Sequence, residues 1–312
     1  MSKEFHQTIW DEVVADDCRQ LVRLAILEDL NRAHDWTTAA LVPDDLEGSA
    51  AIVARQPGIV AGLPAAAVAL DEMGTAVQWD PLCQDGQSIE RGTAVARMSG
   101  LLRHLLTRER LVLNLLGRLS GIATLTRRYV DAVAGHRARI YDTRKTTPGW
   151  RRLEKYAVRC GGGCNHRTGL FDAALIKDNH LAVGAMAGHG SGFSPAAAVT
   201  RVRQFVAEAQ APGRQTEMIV EIEVDTLAQF EDALAASPDI VLLDNMPLQM
   251  LRRAVALRDR LAPGVELEAS GNMHLARVAR VAETGVTRIS VGALTHAAVG
   301  LDLGLDVDGR TK

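Results

Sequence analysis

The sequence predicts an α/β protein in two parts: a small α+β unit on a mainly antiparallel sheet, then a longer run of parallel βα units. Three observations carry this. From Arg139 onward, short apolar runs alternate with helical patterns. Those runs are nearly continuous, as in parallel strands buried on both faces. The first third shows short alternating runs broken at Pro57-Gly58, Asp85-Gly86 and Gly92, the punctuation of hairpins. Repeated βα units of this length fit a parallel barrel or a doubly wound sheet.

Taken in order, Trp10 to Leu30 carries apolar positions at helical spacing. AHDWTTAALVPDD then reads as a loop, with Thr and Asp offering caps or turns. SAAIVARQPGIVAGL reads as two short strands forming a hairpin around Pro57-Gly58. Leucines recur helically through LLRHLLTRERLVLNLLGRLSGIATLTRRYVDAVAG, with Arg103, Arg108 and Arg110 on or beside the apolar face. This stretch leads from the first unit into the second. Strands are then expected at ARIYDT, AALIKD, EMIVEIEV, DIVLLDN, VELEAS and TRISVG. Helices are expected at WRRLEKYAVR, PAAAVTRVRQFVAEAQ, LAQFEDALAA, PLQMLRRAVALRDRL and HLARVARVAET. The GHGSG run near Gly190 lacks the spacing and the preceding strand of a dinucleotide fingerprint and reads as a flexible loop.

The 312 residues suffice for a sizeable core, and 47% hydrophobic with 23% charged residues describes a globular chain. The 35 basic and 38 acidic residues leave a formal charge of −3, so no global field draws the protein to nucleic acid or a membrane. Anion binding must come from a local cluster. Four scattered cysteines are too few for a disulfide framework. MSKEFHQTIWDEVV lacks the apolar core of a signal peptide, and no apolar run approaches membrane-spanning length. A reduced, cytoplasmic protein is expected.

The stretch Tyr141 to His180 supplies that cluster, with Arg144, Lys145, His166, Arg167 and Lys177 among turn glycines and short strands. Polar or small residues recur where each strand ends: Arg144 and Lys145, Lys177, Glu223, Asp244, Ser270 with Gly271, and Gly292. In a βα barrel those ends share one face, which carries the active site. Arg grips a carboxylate by two parallel hydrogen bonds, and Lys is a compact charge suited to phosphate oxygens. Glu221 and Glu223 alternate and so share a strand face. Glu223 with Asp244 could hold magnesium or ribose hydroxyls and stabilise a cationic transition state. The small residues at 270–272 and 291–293 fit either plain turns or a phosphate site. Cys160, Cys164, His166 and His180 invite a zinc reading, but one C-x3-C stands without a second pair. The three glycines between the cysteines suit backbone approach to a ligand better, and His166 suits a hydrogen bond to an acidic substrate. Arg110 either snorkels from its apolar helix or reaches an anion, across a subunit boundary in one version.

Seven segments together resemble the quinolinate phosphoribosyltransferase family: RERLVLNLLGRLSGIAT, YDTRKTTPGWRRLEKYAV, GGGCNHRTGLFDAALIKDNH, VEIEVD, VLLDNM, LEASGN and ISVGALTH. They keep the family's order over roughly two-thirds of the chain. The resemblance implies an N-terminal α/β sandwich at 1–116, joined by the tail 295–312, and an incomplete parallel α/β barrel at 117–294. It implies a homodimer that converts quinolinate and phosphoribosyl pyrophosphate to nicotinate mononucleotide, CO2 and pyrophosphate, with magnesium and no organic cofactor. Carried over by motif, Arg110 would come from the neighbouring subunit to the dicarboxylate that Arg144, His166 and Arg167 hold, with Thr143 nearby. Lys145 and Lys177 would lie between quinolinate and pyrophosphate. Glu223 and Asp244 would face ribose and magnesium, Ser270, Gly271 and Gly292 would bind the 5-phosphate, and Asn272 would be a further substrate-binding residue.

Two departures stand out. EDLNRAHDWTT lacks the glycines of the family's EDxGxGDxT segment, though Asp35 and Thr37 remain, and GAMAGHGSGFSP is an insertion around 184–194. The alternatives are a sister transferase acting on another small acid and a non-catalytic dimer binding anionic metabolites. The intact cation set argues against the first, and the acidic pair Glu223 and Asp244 against the second.

Overall fold

A computed structural model describes residues 3–74, 77–186, 193–209 and 218–308. The chain opens with α1 (Glu12–Leu30), α2 (Trp36–Leu41), β1 (Glu47–Ala54), β2 (Gly58–Ile59) and α3 (Leu63–Glu72). β3 (Gln78–Pro81), β4 (Ser88–Ile89), β5 (Ala94–Leu101) and the long α4 (Leu102–Ala132) follow. Then come β6 (Arg139–Tyr141), α5 (Arg151–Cys160), β7 (Ala174–Ile176), α6 (Asp178–Met186) and α7 (Pro195–Ala209). Four βα pairs complete the alternation. They are β8 (Val220–Val224) with α8 (Leu227–Ala235), β9 (Ile240–Asp244) with α9 (Leu248–Leu261), β10 (Glu266–Ser270) with α10 (Leu275–Ala282), and β11 (Arg288–Ser290) with α11 (Ala293–His296). β12 (Leu303–Val307) ends the described chain.

These elements form two compact units. One comprises Thr8–Arg128, Lys145–Gly163 and the chain from Leu294; the other comprises the residues up to Gln7, Tyr129–Arg144 and Cys164–Ala293.

The first unit is built on an antiparallel sheet of order β12-β1-β5-β3. β1 lies centrally, with Ala50 opposite Met98 on one side and Val307 on the other. Alternation along β1 and β5 buries Ala50, Ile52, Ala54, Ala96 and Met98. α1 is capped by Asp11, whose carboxylate accepts from Val14 N–H at 2.9 Å, and closes at Asn31 in the left-handed region (φ 39°). Arg32 follows at φ 64°, so Asn31 and Arg32 make the turn without glycine in the segment where the family pattern has it.

Two expectations fail in this unit, and one helix was not foreseen. AHDWTTAALVPDD is not all loop, because Asp35 caps α2 by accepting from Thr38 N–H at 3.0 Å. The hairpin around Pro57-Gly58 does not form: β1 pairs with β5 and β12, while β2 pairs with β4. The segment after β2 is helix α3, whose Pro64 sits in its first turn where no N–H is needed. The glycine run 161–163 also serves packing. A Cβ on Gly161 would lie 2.5 Å from the Ala123 carbonyl, and one on Gly163 would lie 2.7 Å from Thr126. The backbone thus approaches α4.

In the second unit a six-stranded parallel sheet runs β6-β11-β10-β9-β8-β7. Consecutive strands are neighbours and the last pairs with the first, which is the cyclic order of a barrel and not of a doubly wound sheet. β6 and β7 are not paired with each other. Cys164 adds to β6 instead, donating to Ile140 O at 2.7 Å and accepting from Asp142 N–H at 3.0 Å. All six expected strands are present.

A feature not expected from the sequence closes the amino ends of these strands. Lys3 donates to the carbonyls of Asp239 (3.2 Å) and Gly264 (2.9 Å), just ahead of β9 and β10. Phe5 packs with Ala173 and Ile240. Glu4 pairs with the fully buried Arg288 at 3.1 Å, and Glu266 holds the same guanidinium at 2.5 Å. Residues 3–7 therefore plug the end opposite the expected site. No helix of the described residues is long and apolar enough to cross a membrane. The GHGSG run and most of the insertion around 184–194 lie outside the described residues.

Candidate active site

Strand alternation fixes which side chains enter the barrel. Ile240 packs on Phe5, so Leu242 and Asp244 share its inward face, and the register sets Ser270 beside Asp244. Lys177, just past β7, and Glu223 on β8 meet in an ion pair with Nζ 3.1 Å from Oε2. Glu223, Asp244 and Ser270 thus line up at the carboxyl ends of three adjacent strands, and the Lys177 ammonium joins them.

Two cations lie near one another in this unit. Arg144 follows β6, is half-buried, and has a buried Nε with no hydrogen-bond partner. Arg167 is buried, and its guanidinium donates to Ala173 O at 3.1 Å. Burial, then repulsion from Arg144, pushes the Arg167 pKa below its ordinary value. Like charges this close favour an anion between them. Thr143 is half-buried between β6 and Arg144.

The ends of β9 and β10 are stitched together by two asparagines, Asn272, expected at the substrate, and Asn245, which was not expected there. Asn245 donates to Asp244 Oδ2 at 2.7 Å, and its own Oδ1 accepts from Asn272 at 3.0 Å. Both asparagines sit in the left-handed region, at φ 53° and 48°, which Asn tolerates better than most residues. Gly271 between them has φ 86°, and a Cβ there would lie 2.2 Å from Asn245 Oδ1. Arg277 of α10 donates to Met246 O at 2.9 Å, tying the same two loops. The only visible signal was local: N-M after one strand and S-G-N after the next.

Beneath the rim lies a buried cluster. His166 Nε2 is 3.0 Å from Glu221 Oε2 and 3.5 Å from Glu268 Oε1, both carboxylates being wholly buried. The ring points between them, and no oxygen of either acid forms a well-aligned hydrogen bond. Burial pushes Glu221 up to about 8, against the attraction of Arg288 and Arg167. Burial likewise pushes Glu268 up to about 7, against His166 and with repulsion from Glu221. His166 Nδ1 accepts from Arg167 N–H at 2.8 Å, so the neutral ring carries its proton on Nε2 and donates toward the acids. Phe5 stacks on the ring at 4.3 Å between centroids. Asp142, also buried, accepts from His166 N–H at 2.8 Å and from the Asn165 amide at 2.7 Å, locking this segment to the end of β6.

Among the described residues, His166, Glu221 and Glu268 are the group close enough to share an ion. A ring whose remaining lone pair already receives an N–H offers a proton there and not a ligand. The cysteines lie outside this group, and all four are free thiols. His180 instead accepts from Lys177 N–H at 2.9 Å through Nδ1.

Two expected residues belong to the first unit. Lys145 is exposed, and its carbonyl accepts from Thr295 at 2.7 Å. Arg110 on α4 has a side chain 68% exposed, with Glu109 4.0 Å away. Gly292 follows β11, just before α11.

Comparison with known proteins adds independent findings. Residues 35–120 match the quinolinate phosphoribosyl transferase N-terminal domain, and residues 122–306 match the C-terminal domain. The chain is 44% identical over 295 residues to a nicotinate-nucleotide pyrophosphorylase [carboxylating] of Mycobacterium leprae, covering 94% of this chain and 98% of that protein. It is 37% identical over 307 residues to a quinolinate phosphoribosyltransferase [decarboxylating] of Nicotiana tabacum, covering 94% and 83%. Among solved structures, the nicotinate-nucleotide pyrophosphorylase of Francisella tularensis superposes with a TM-score of 0.84 at 36% identity, covering 94% of this chain and 97% of that one.

Proposed function

The chain belongs to the quinolinate phosphoribosyltransferase family, and we propose that it performs the decarboxylating transfer of NAD biosynthesis at the barrel rim. It transfers phosphoribosyl from phosphoribosyl pyrophosphate to quinolinate, giving nicotinate mononucleotide, CO2 and pyrophosphate. The single observation that carries this assignment is the pair Arg144 and Arg167, two neighbouring cations of which Arg144 is half-buried and Arg167 buried.

Arg144 and Arg167, with Thr143 beside them, cradle the two carboxylates, while His166, its ring nitrogens turned to Glu221 and to the Arg167 N–H, supports Arg167 and does not reach the substrate itself. A buried guanidinium such as that of Arg167 grips an anion more strongly than an exposed one does. Lys177 stands between that cradle and the pyrophosphate. As the pyridine nitrogen bonds to the ribose carbon and pyrophosphate departs, positive charge builds on the sugar. Glu223 and Asp244 stabilise it electrostatically. N-alkylation makes the ring cationic, so the electron pair left when CO2 departs is stabilised, and a proton replaces the lost group. No side chain bonds to substrate, and catalysis rests on positioning.

Ser270, Gly271 and Gly292 take the 5-phosphate, the first two beside the loop that the asparagine stitch holds. Glu223 and Asp244 also fit magnesium, since they offer hard carboxylate oxygens at adjacent strand ends. When bound with the diphosphate, the ion neutralises leaving-group charge. The exposed Arg110 supports a homodimer in which that guanidinium completes a partner's site. The four free thiols support a cytoplasmic setting.

Incubating the protein with quinolinate, phosphoribosyl pyrophosphate and magnesium tests the reading. Nicotinate mononucleotide and pyrophosphate should appear in equal amounts. Turnover of nicotinate but not of quinolinate would favour the sister transferase.

A further inference from the structure

Barrel interiors are ordinarily filled by branched apolar side chains. This one carries Glu221 and Glu268 at its middle, each wholly buried and without an aligned hydrogen-bond donor. Burying carboxylates so poorly partnered is costly, and apolar residues of similar size would cost less. Their placement beneath the Arg144 and Arg167 pair therefore calls for a use. The substrate scheme above gives them none.

The geometry supplies one. His166 is held on every side: Nε2 faces Glu221 at 3.0 Å and Glu268 at 3.5 Å, Phe5 stacks on one face, and Asp142 holds its backbone N–H. Its Nδ1 in turn accepts from the Arg167 backbone N–H at 2.8 Å. The ring is thus a strut between two buried acids and the backbone of a cradle arginine. With carboxylates on the Nε2 side, the proton stays on Nε2, which keeps Nδ1 free to accept from Arg167. A ring flipped to the other tautomer would set N–H against N–H and release the start of the Arg167 segment.

We propose that Glu221 and Glu268 are positioning residues for the dicarboxylate, acting through His166 to set where Arg167 presents its guanidinium. The inference rests on the quinolinate reading above. It differs from a purely structural role because the two substrates should feel it unequally.

Glu221→Gln and Glu268→Gln keep size and replace each carboxyl group by an amide that cannot ionise. In each, the KM for quinolinate should rise about tenfold or more, by analogy with acids that orient a metal-ligating histidine. The KM for phosphoribosyl pyrophosphate should stay within about twofold. Equal rises in both KM values, or no rise in a folded variant, would overturn the proposal. Wild type supplies a check that needs no variant to fold. Long-range proton–nitrogen spectra of histidine-labelled protein, with His166 assigned by its loss in His166→Asn, should show the neutral Nε2–H tautomer. A ring protonated on Nδ1 would overturn the proposal. Failure of wild type to consume quinolinate at all would count against the function and leave the tautomer result to decide the strut.

Discussion

Asn272 donates its side-chain amide to Asn245 Oδ1 across 3.0 Å, and both residues lie in the left-handed region one step past or within the turns that end β9 and β10. This bond joins the loop of the acidic pair to the loop assigned to the 5-phosphate. Asn245→Ala removes one acceptor and one donor to a carboxylate, worth about 2–4 kcal/mol together in the intact stitch, of which part should reach the diphosphate site. The KM for phosphoribosyl pyrophosphate should rise about tenfold, with quinolinate little affected. Steady-state kinetics with each substrate varied checks this.

Gly271→Ala should be worse. Its φ of 86° and the 2.2 Å approach of a Cβ to Asn245 Oδ1 leave no room without moving the stitch. Strain of about 1–3 kcal/mol is expected at such a position, read as a lowered Tm together with weaker diphosphate binding.

Lys177 separates stability from function. Its pair with Glu223 is partly exposed, 46% on the lysine side, and such pairs contribute about 0–1 kcal/mol. Lys177→Ala should leave Tm nearly unchanged while kcat/KM falls about a hundredfold or more, the scale of losing one transition-state electrostatic contact. Thermal melts and kinetics on one preparation check it.

Glu268 predicts a pH effect on stability. Burial raises its folded pKa to about 7 from 4.5, so between those values the folded state holds a proton that the unfolded state has lost. Its contribution is fully present below about 4.5 and is lost as pH rises through about 7, a change of about 3 kcal/mol. Denaturant melts of Glu268→Gln should show a weaker decline across that window than wild type.

The parallel strands were legible because both faces are buried, which writes them as apolar runs such as IVLLD, and because charge begins where burial stops. The rim residues Lys177, Glu223 and Asp244 were legible for the same reason. α3 was not, since Leu63 to Leu70 is as apolar as a strand and its alanines fit either. α2 hid behind a cap that looked like a turn. The cluster of His166, Glu221 and Glu268 had a faint signal in charges set mid-strand, but only closure of the barrel brings positions 166, 221 and 268 together. Residues 3–7 show the same limit, because their partners Asp239, Gly264 and Arg288 lie far along the chain.

The most direct measurement is release of labelled CO2 from carboxyl-labelled quinolinate, with phosphoribosyl pyrophosphate and magnesium, by wild type and Arg144→Ala. Wild type should release CO2 only when phosphoribosyl pyrophosphate is present, and folded Arg144→Ala should release about a hundredfold less. Equal release by both proteins would contradict the cradle, and no release by folded wild type would contradict the reaction itself.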